Sequence, residues 1–424
     1  MSWNWPWSAI LMVNPTGALG LLHGFTAFAV SLSWMTHIFN GSAVLLWLLL
    51  ALFPTLFAHF HGRAWARGWS GWKFEVFTAL NWCAWEFIRA ELFPLKFPWM
   101  TAGLAIGPNV LLPWIGVYGV SLIVVFAAAS ISSRKLWPAL GASAILVAGV
   151  GLCFPCPEPV ATDASSVKMA GIQMENVSCD RFLSETGKLP ADVKYVVWPE
   201  YSVPFDIRKS ERDWALIQAL CDERNITLTF GTQAVSGKGG EWRNIALTMD
   251  ASGVRGEHAK VHTVHFFDDG IPGKTQLPVT TDYGKIGTPI CFDGDYEGVI
   301  RGMTKEGAEM IVIPTMDAET WSVRQHEQHA ELACIRACEN GRWAFACATS
   351  GVSQVIDSHG HVHARLAALE QGVMTQTMKR ETALTFYTCF GWLCPWVSLV
   401  LAAVGWVWVF LPKRWKDDLE IVAP

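Results

Sequence analysis

Charge is scarce in this chain: Lys, Arg, Asp and Glu make up 16% of its 424 residues and hydrophobic types 51%. Ordinary soluble domains are about a quarter charged, so a wholly water-exposed fold is excluded and a membrane protein is expected. A basic excess is missing as well. The net charge of −5 provides no electrostatic footprint for nucleic acid. Regular cysteine spacing is also absent. The 11 cysteines are irregularly placed, many in apolar surroundings, which excludes a disulfide framework. Cys153 and Cys156 form a C-x-x-C that is read as two incidental cysteines. The N-terminus has neither a basic region nor a small-residue cleavage site, so no cleavable signal peptide is expected.

The little charge there is lies mostly downstream. Residues 1–155 carry 7 Lys/Arg and 3 Asp/Glu, 10 of the chain's 69 charges. Apolar stretches of about twenty residues, enough to span a bilayer, occur at 17–39, 43–61, 74–93, 112–132, 136–154 and 385–411. Three basic clusters separate them: Arg63, Arg67 and Lys73; Arg134 and Lys135; Lys413, Arg414 and Lys416. The positive-inside rule places all three in the cytoplasm. Counting helices from each gives one topology: a cytoplasmic start, five helices, residues 155–384 on the far side, and a sixth helix returning. Glu86 and Arg89, three residues apart on one helix face, are charges at membrane depth and face a protein interior or a cavity. The loop from Phe97-Pro98-Trp99 to Gly119 is rich in Pro, Gly and aromatics and suits an interfacial belt.

From about Ser166 the pattern changes. Short β-branched runs at 168–173, 195–198, 226–231, 245–249, 285–291 and 310–314 read as strands, and 209–224, 298–307 and 324–341 as helices. That alternation indicates a layered α/β domain. Three strand mouths carry chemistry: Glu200 after Val196-Val197-Trp198-Pro199, Lys260 before Val261-His262, and Cys291 after Thr288-Pro289-Ile290. A cysteine leaving a strand toward a helix N-terminus can have its thiolate stabilised by backbone N–H groups. If the three side chains meet at one sheet edge, the thiolate can attack an acyl carbon, the carboxylate can take the thiol proton, and the ammonium can stabilise the oxyanion. The histidines at 258, 262, 265, 326, 329, 359, 361 and 363 lack the H-E-x-x-H spacing and are read as hydrogen-bonded or exposed. No metal and no cofactor is expected.

WPEYSVP (198–204), AKVHTVHFFD (259–268) and GTPICFDGD (287–295) resemble the three motifs of the nitrilase superfamily. The stretches 328–342 and 348–353, and WEFIRAELFPLKFPW (85–99) in the membrane part, narrow the resemblance to the apolipoprotein N-acyltransferase family. The resemblance implies a nitrilase-like α-β-β-α sandwich inserted between transmembrane helices: a helical domain at 1–155, a catalytic domain at 165–380 and a last helix at 385–411. It implies a bacterial inner-membrane, multi-pass monomer with its catalytic domain on the periplasmic side. The implied reaction is ping-pong: an acyl chain moves from a phospholipid to Cys291 as a thioester, then to the N-terminal amine of a diacylated lipoprotein. Glu200 is then the base, Lys260 the oxyanion stabiliser and Cys291 the nucleophile, with Asp268, Phe292 and Asp293 in support. The Phe292 N–H completes the oxyanion hole. The sequence departs from the family pattern at several points. Phe292 and Asp293 stand where the family has tyrosine and glutamate, Asp268 where it has a second glutamate, and Met316-Asp317 where it has asparagine-aspartate. Six helices are counted in place of eight. The rival readings are a membrane-anchored nitrilase-type amidase or hydrolase and a non-catalytic membrane scaffold.

Overall fold

The computed structural model describes residues 17–152, 165–235 and 240–411. The chain divides into two compact units. The first collects residues up to Ile106, Ile115–Gly149 and the chain from Gly391 onward; the second holds Gly107–Trp114 and Val150–Phe390.

In the first unit, helices occupy Gly17–Ser31, Met35–Phe39, Ala43–Ala66, Trp72–Phe87, most of Leu112–Ser132, Leu136–Leu152 and Leu393–Phe410. Among the described residues, three segments are long and apolar enough to cross a membrane: Met35–Ala66, Leu112–Ser132 and Leu393–Phe410. Gly17–Ser31 and Trp137–Gly151 are apolar but shorter. The first helix lies close against Ala43–Ala66 because small residues face each other: a Cβ at Gly20 would sit 2.6 Å from that of Ala58. Such small-residue contacts let apolar helices associate where lipid removes the hydrophobic drive.

Glu86 and Arg89 do face the protein interior. Arg89 donates to the carbonyls of Phe97 at 2.8 Å and Trp99 at 2.5 Å, and Glu86 accepts from the Ala102 N–H and the Trp82 indole, both at 2.6 Å. Non-helical backbone at membrane depth must be satisfied by protein, and this pair does that for the 97–102 loop. The C-x-x-C at 153–156 and the basic residues at 413–416 fall outside the described residues.

The second unit is built on two six-stranded sheets. The strands are β1 (Ser166–Gln173), β2 (Tyr195–Val197), β3 (Thr227–Val235), β4 (Trp242–Asp250), β5 (Gly253–Ala259), β6 (Val279–Thr281), β7 (Gly284–Gly287), β8 (Met310–Thr315), β9 (Ala344–Ala348), β10 (Ser353–Ile356), β11 (Val362–Leu366) and β12 (Gly372–Lys379). Their orders are β12-β1-β2-β3-β4-β5 and β11-β10-β9-β8-β7-β6. Each sheet has a parallel centre, β1-β2-β3 in one and β7-β8-β9 in the other, flanked by antiparallel strands.

One buried cluster joins both sheets, with Met169, Tyr195 and Val197 against Met310, Val312 and Phe345. The outer face of the first sheet packs on helices Cys179–Gly187 and Glu211–Arg224 through Phe182, Ile217 and Cys221. The outer face of the second packs on Glu297–Lys305 and Val323–Asn340 through Val299, Ile300, Ala333 and Ala337. The result is an α-β-β-α sandwich. Every residue of the central strands β2 and β8 is buried, the pattern of parallel strands covered on both sides.

Candidate active site

The three residues expected at strand mouths converge in the second unit. Glu200 sits just past β2, on a turn pinned to β3: the Gly231 N–H donates to the Pro199 carbonyl at 3.1 Å, and the Val203 N–H to the Gly231 carbonyl at 3.1 Å. A Cβ at Gly231 would lie 2.5 Å from the Glu200 Cα, so only glycine lets the turn lie this close. Lys260 follows β5, its N–H bonded to the Asn244 carbonyl at 2.9 Å. Its Nζ lies 2.8 Å from Glu200 Oε1 and 2.8 Å from Asp269 Oδ2. Asn244, on β4, donates through Nδ2 to both acids, at 2.6 Å to Glu200 and 2.8 Å to Asp269. Glu200, Lys260 and Asp269 are all buried.

Cys291 opens a tight turn, Cys291–Asp295, ahead of the helix Glu297–Lys305. Its φ is +47°, in the left-handed region, where a side chain with a Cβ is strained. Its thiol donates to the Met316 carbonyl at 3.7 Å, and the Met316 N–H donates to Glu200 Oε2 at 2.8 Å. One peptide segment therefore holds both the sulfur and the carboxylate.

The electrostatics correct one expectation. Cys291 is not a helix-stabilised thiolate. Burial and the Glu200 carboxylate raise its pKa well above the usual thiol value, against the pull of Lys260. The resting group is a thiol, so it needs a base. Burial also raises Glu200, and the Asp269 charge adds to that; Lys260 opposes it. Burial works against the Lys260 ammonium, but the Glu200 and Asp269 carboxylates outweigh it and hold its pKa well above normal.

The supporting residues divide. Asp268 is exposed on its loop and its neighbour Asp269 makes the contact with Lys260, so the second carboxylate is one residue further along than expected. The loop kinks at Phe266, φ +71°, and the Val264 N–H closes onto Asp269 Oδ2 at 2.8 Å, which turns Asp269 inward. Asp293 is buried and accepts from the N–H groups of Val261 at 3.0 Å and His262 at 2.7 Å, with His258 Nε2 at 3.2 Å. Burial opposes its ionisation, yet the bonds from His258 and His262 hold its carboxyl well below the usual range. Asp293 thus ties the cysteine turn to the chain leaving Lys260. The Phe292 ring is half-buried, 5.1 Å from that of Tyr296 and 6.5 Å from that of His265.

Sequence reasoning missed Asn244 and Asp269 entirely. It also missed Tyr201, whose hydroxyl donates to Asp269 at 2.5 Å. A polar residue opening the apolar strand at 245–249 was the available signal for Asn244.

Two family models match the sequence: Apolipoprotein N-acyltransferase N-terminal domain over residues 7–130 and Carbon-nitrogen hydrolase over 178–386. Relatives similar over most of the chain are apolipoprotein N-acyltransferases. The Geobacter metallireducens apolipoprotein N-acyltransferase is 24% identical, covering 91% of this chain and 85% of the relative. The one from Nitrosomonas europaea is 27% identical, covering 90% and 84%. Among solved structures, Saccharomyces cerevisiae Nit3, a member of branch 10 of the nitrilase superfamily, is similar at TM-score 0.46 and 21% identity, over 52% of this chain and 93% of that one.

Proposed function

We propose that this chain is an N-acyltransferase of lipoprotein biosynthesis that works by a ping-pong mechanism through Cys291. The observation that carries the reading is the buried Lys260, bonded to Glu200 and Asp269 at 2.8 Å each beside a thiol that, like Glu200, bonds the backbone of Met316. Glu200 takes the thiol proton and the sulfur attacks the ester carbonyl of a phospholipid. Lys260 and the Phe292 N–H stabilise the resulting oxyanion. Collapse breaks the ester C–O bond, and Glu200 returns its proton to the departing alkoxide, releasing a lysophospholipid and leaving a thioester on Cys291. The α-amine of a diacylated lipoprotein then attacks the thioester. Glu200 accepts the amine proton and passes it to the leaving sulfur, which restores the thiol.

Lipid substrates suit the surroundings of the site. Phe266 and Phe267, on the loop between Lys260 and Asp269, are 67% and 43% exposed, and the Phe267 ring lies 5.9 Å from that of Trp321. Exposed aromatics of this kind mark a lipid or partner surface. The basic clusters at 63–73 and 134–135 support a cytoplasmic start and a periplasmic catalytic domain.

Intact-mass measurement after incubation with phospholipid tests the reading. An acyl adduct on the wild type that is absent from Cys291→Ala and transfers to a diacylated lipopeptide amine is expected. Free fatty acid with no acylated amine would overturn it in favour of a hydrolase, and an unmodified wild type in favour of a scaffold.

A further inference from the structure

His329 lies outside the residues that perform the proposed chemistry, yet it joins the two segments that carry them. It sits on the helix Val323–Asn340 with its imidazole between two buried carboxylates. Its Nδ1 is 2.9 Å from Asp317 Oδ1, and its Nε2 is 3.3 Å from Asp295 Oδ1. Asp295 closes the tight turn that Cys291 opens. Asp317 directly follows Met316, whose carbonyl accepts from Cys291 and whose N–H donates to Glu200. Cys291, Asp295, Asp317 and His329 line one small cleft. Burial opposes protonation of the imidazole, but Asp317 and Asp295 outweigh it and raise its pKa well above the usual histidine value. The bridge is therefore a charged one: the imidazolium is hydrogen-bonded through Nδ1 to Asp317 and ion-paired through Nε2 with Asp295.

Asp317 is held from other directions as well. Gln325 Nε2 donates to Oδ1 at 2.9 Å, and its carbonyl accepts from the Thr349 hydroxyl at 3.1 Å. The second grip on Asp295 is what sets His329 apart, because it fixes the nucleophile's turn relative to the segment that orients the base.

We propose that His329 is a positioning residue, clamping the Cys291–Asp295 turn to Met316-Asp317 so that sulfur and carboxylate stay in register during acyl-enzyme formation. This rests on the acyl-transfer reading above, and the experiment separates the two.

The full-length protein in detergent, as wild type, His329→Ala and His329→Gln, is incubated with increasing phosphatidylethanolamine and the Cys291 adduct is timed by intact mass. In His329→Ala the maximal rate is expected to fall about 10- to 100-fold, the scale of an ångström-level misplacement. The half-saturating lipid concentration should stay near wild type; the unfolding temperature should fall, because Asp295 and Asp317 lose their buried cation, so rates are compared at a temperature where every variant is fully folded. A glutamine amide can donate to both carboxylates, so His329→Gln should recover much of the lost rate. Three results overturn the proposal: a wild-type rate in His329→Ala, a change confined to half-saturation, or a rate loss that tracks loss of folded protein and is not recovered by glutamine. If the wild type forms no adduct, the acyl-transfer reading fails instead. Alkylation of Cys291 by iodoacetamide, which needs no lipid, still tests the clamp: slower alkylation in His329→Ala supports it and an unchanged rate refutes it.

Discussion

Replacing Glu200 by glutamine isolates the base from the scaffold. The carboxylate accepts three bonds: from Lys260 Nζ at 2.8 Å and Asn244 Nδ2 at 2.6 Å on Oε1, and from the Met316 N–H at 2.8 Å on Oε2. A glutamine in the same rotamer keeps one oxygen, best spent on the two donors at Oε1, and turns its NH₂ against the Met316 N–H. One buried donor then loses its acceptor, worth about 1–3 kcal/mol, while Lys260 keeps Asp269 at 2.8 Å. For a protein this large the unfolding temperature should drop by roughly 2–10 °C. Acylation should fall about 10²–10⁴-fold, the usual contribution of a general base, equivalent to about 3–5 kcal/mol on the barrier. Timed intact-mass measurement with phospholipid gives the rate, and calorimetry of the same preparation gives the stability. The wild-type rate should also decline as pH falls through a value above the ordinary carboxylate range, since burial raises Glu200 and its protonated form cannot accept the thiol proton. That limb should vanish in Glu200→Gln. Acylation at near wild-type rate in the variant would remove Glu200 from the mechanism.

Asp269→Asn removes a carboxylate bonded to Lys260, Asn244 and Tyr201 and should slow adduct formation about 10²-fold, whereas Asp268→Asn, at an exposed position, should match wild type in the same assay. Asp293 has a folded pKa depressed below its unfolded value, so its stabilisation is complete above about pH 4 and is lost as pH falls further. Asp293→Asn should therefore unfold at lower temperature at pH 7 yet show a shallower fall in unfolding temperature between about pH 5 and pH 3. Gly231→Ala places a Cβ 2.5 Å from the Glu200 Cα and should destabilise the second unit by about 1–3 kcal/mol while lowering the acylation rate, read by denaturant unfolding and adduct timing. Arg89→Ala leaves the Phe97 and Trp99 carbonyls without their donor and should cost about 1–3 kcal/mol for each group left unsatisfied, measured as a lower unfolding temperature in detergent.

The sequence made the layered α/β character and the strand mouths at Glu200 and Cys291 legible because β2, β7 and β8 are short and bounded by turn residues; the strand that delivers Lys260, β5, was not read. Strands β5, β11 and β12 were not, since they are largely wet: β5 reads Gly-Val-Arg-Gly-Glu-His-Ala, and only His258 in it is buried. Polar strands of this kind pair through backbone bonds to a neighbour, and the neighbour is a tertiary fact. The membrane part shows the reverse difficulty. Apolar composition marked helical positions well, but Trp72–Phe87 carries Lys73, Glu75 and Glu86 and is followed by a π-helical turn at Ile88–Leu92, so a single span over 74–93 was too regular a reading. The boundary at 155 was too simple as well. Gly107–Trp114 belongs to the second unit, where the Cys338 thiol donates to the Asn109 carbonyl at 3.5 Å and Trp114 stacks on Phe386. The choice between Asp268 and Asp269 could not be made by counting, because a left-handed residue at Phe266 sets which of two adjacent acids faces inward.

The raised thiol pKa fits the proposed chemistry better than a preformed thiolate would. In the resting site the negative charges are Glu200 and Asp269, the positive charge is Lys260, and Cys291 is neutral. Moving the thiol proton to Glu200 leaves the total unchanged and shifts one negative charge toward the sulfur, still within the field of Lys260. A buried site tolerates such a rearrangement far better than the import of a new charge. Asp269 matters to this step because it keeps Lys260 paired while Glu200 is neutral, and so the ammonium stays fixed where the oxyanion forms. A phospholipid ester is neutral at its reacting carbonyl and adds no charge on entry. A clamp between the cysteine turn and the Met316-Asp317 segment has leverage because the proton travels between two groups that both bond the backbone of Met316, one at its carbonyl and one at its N–H.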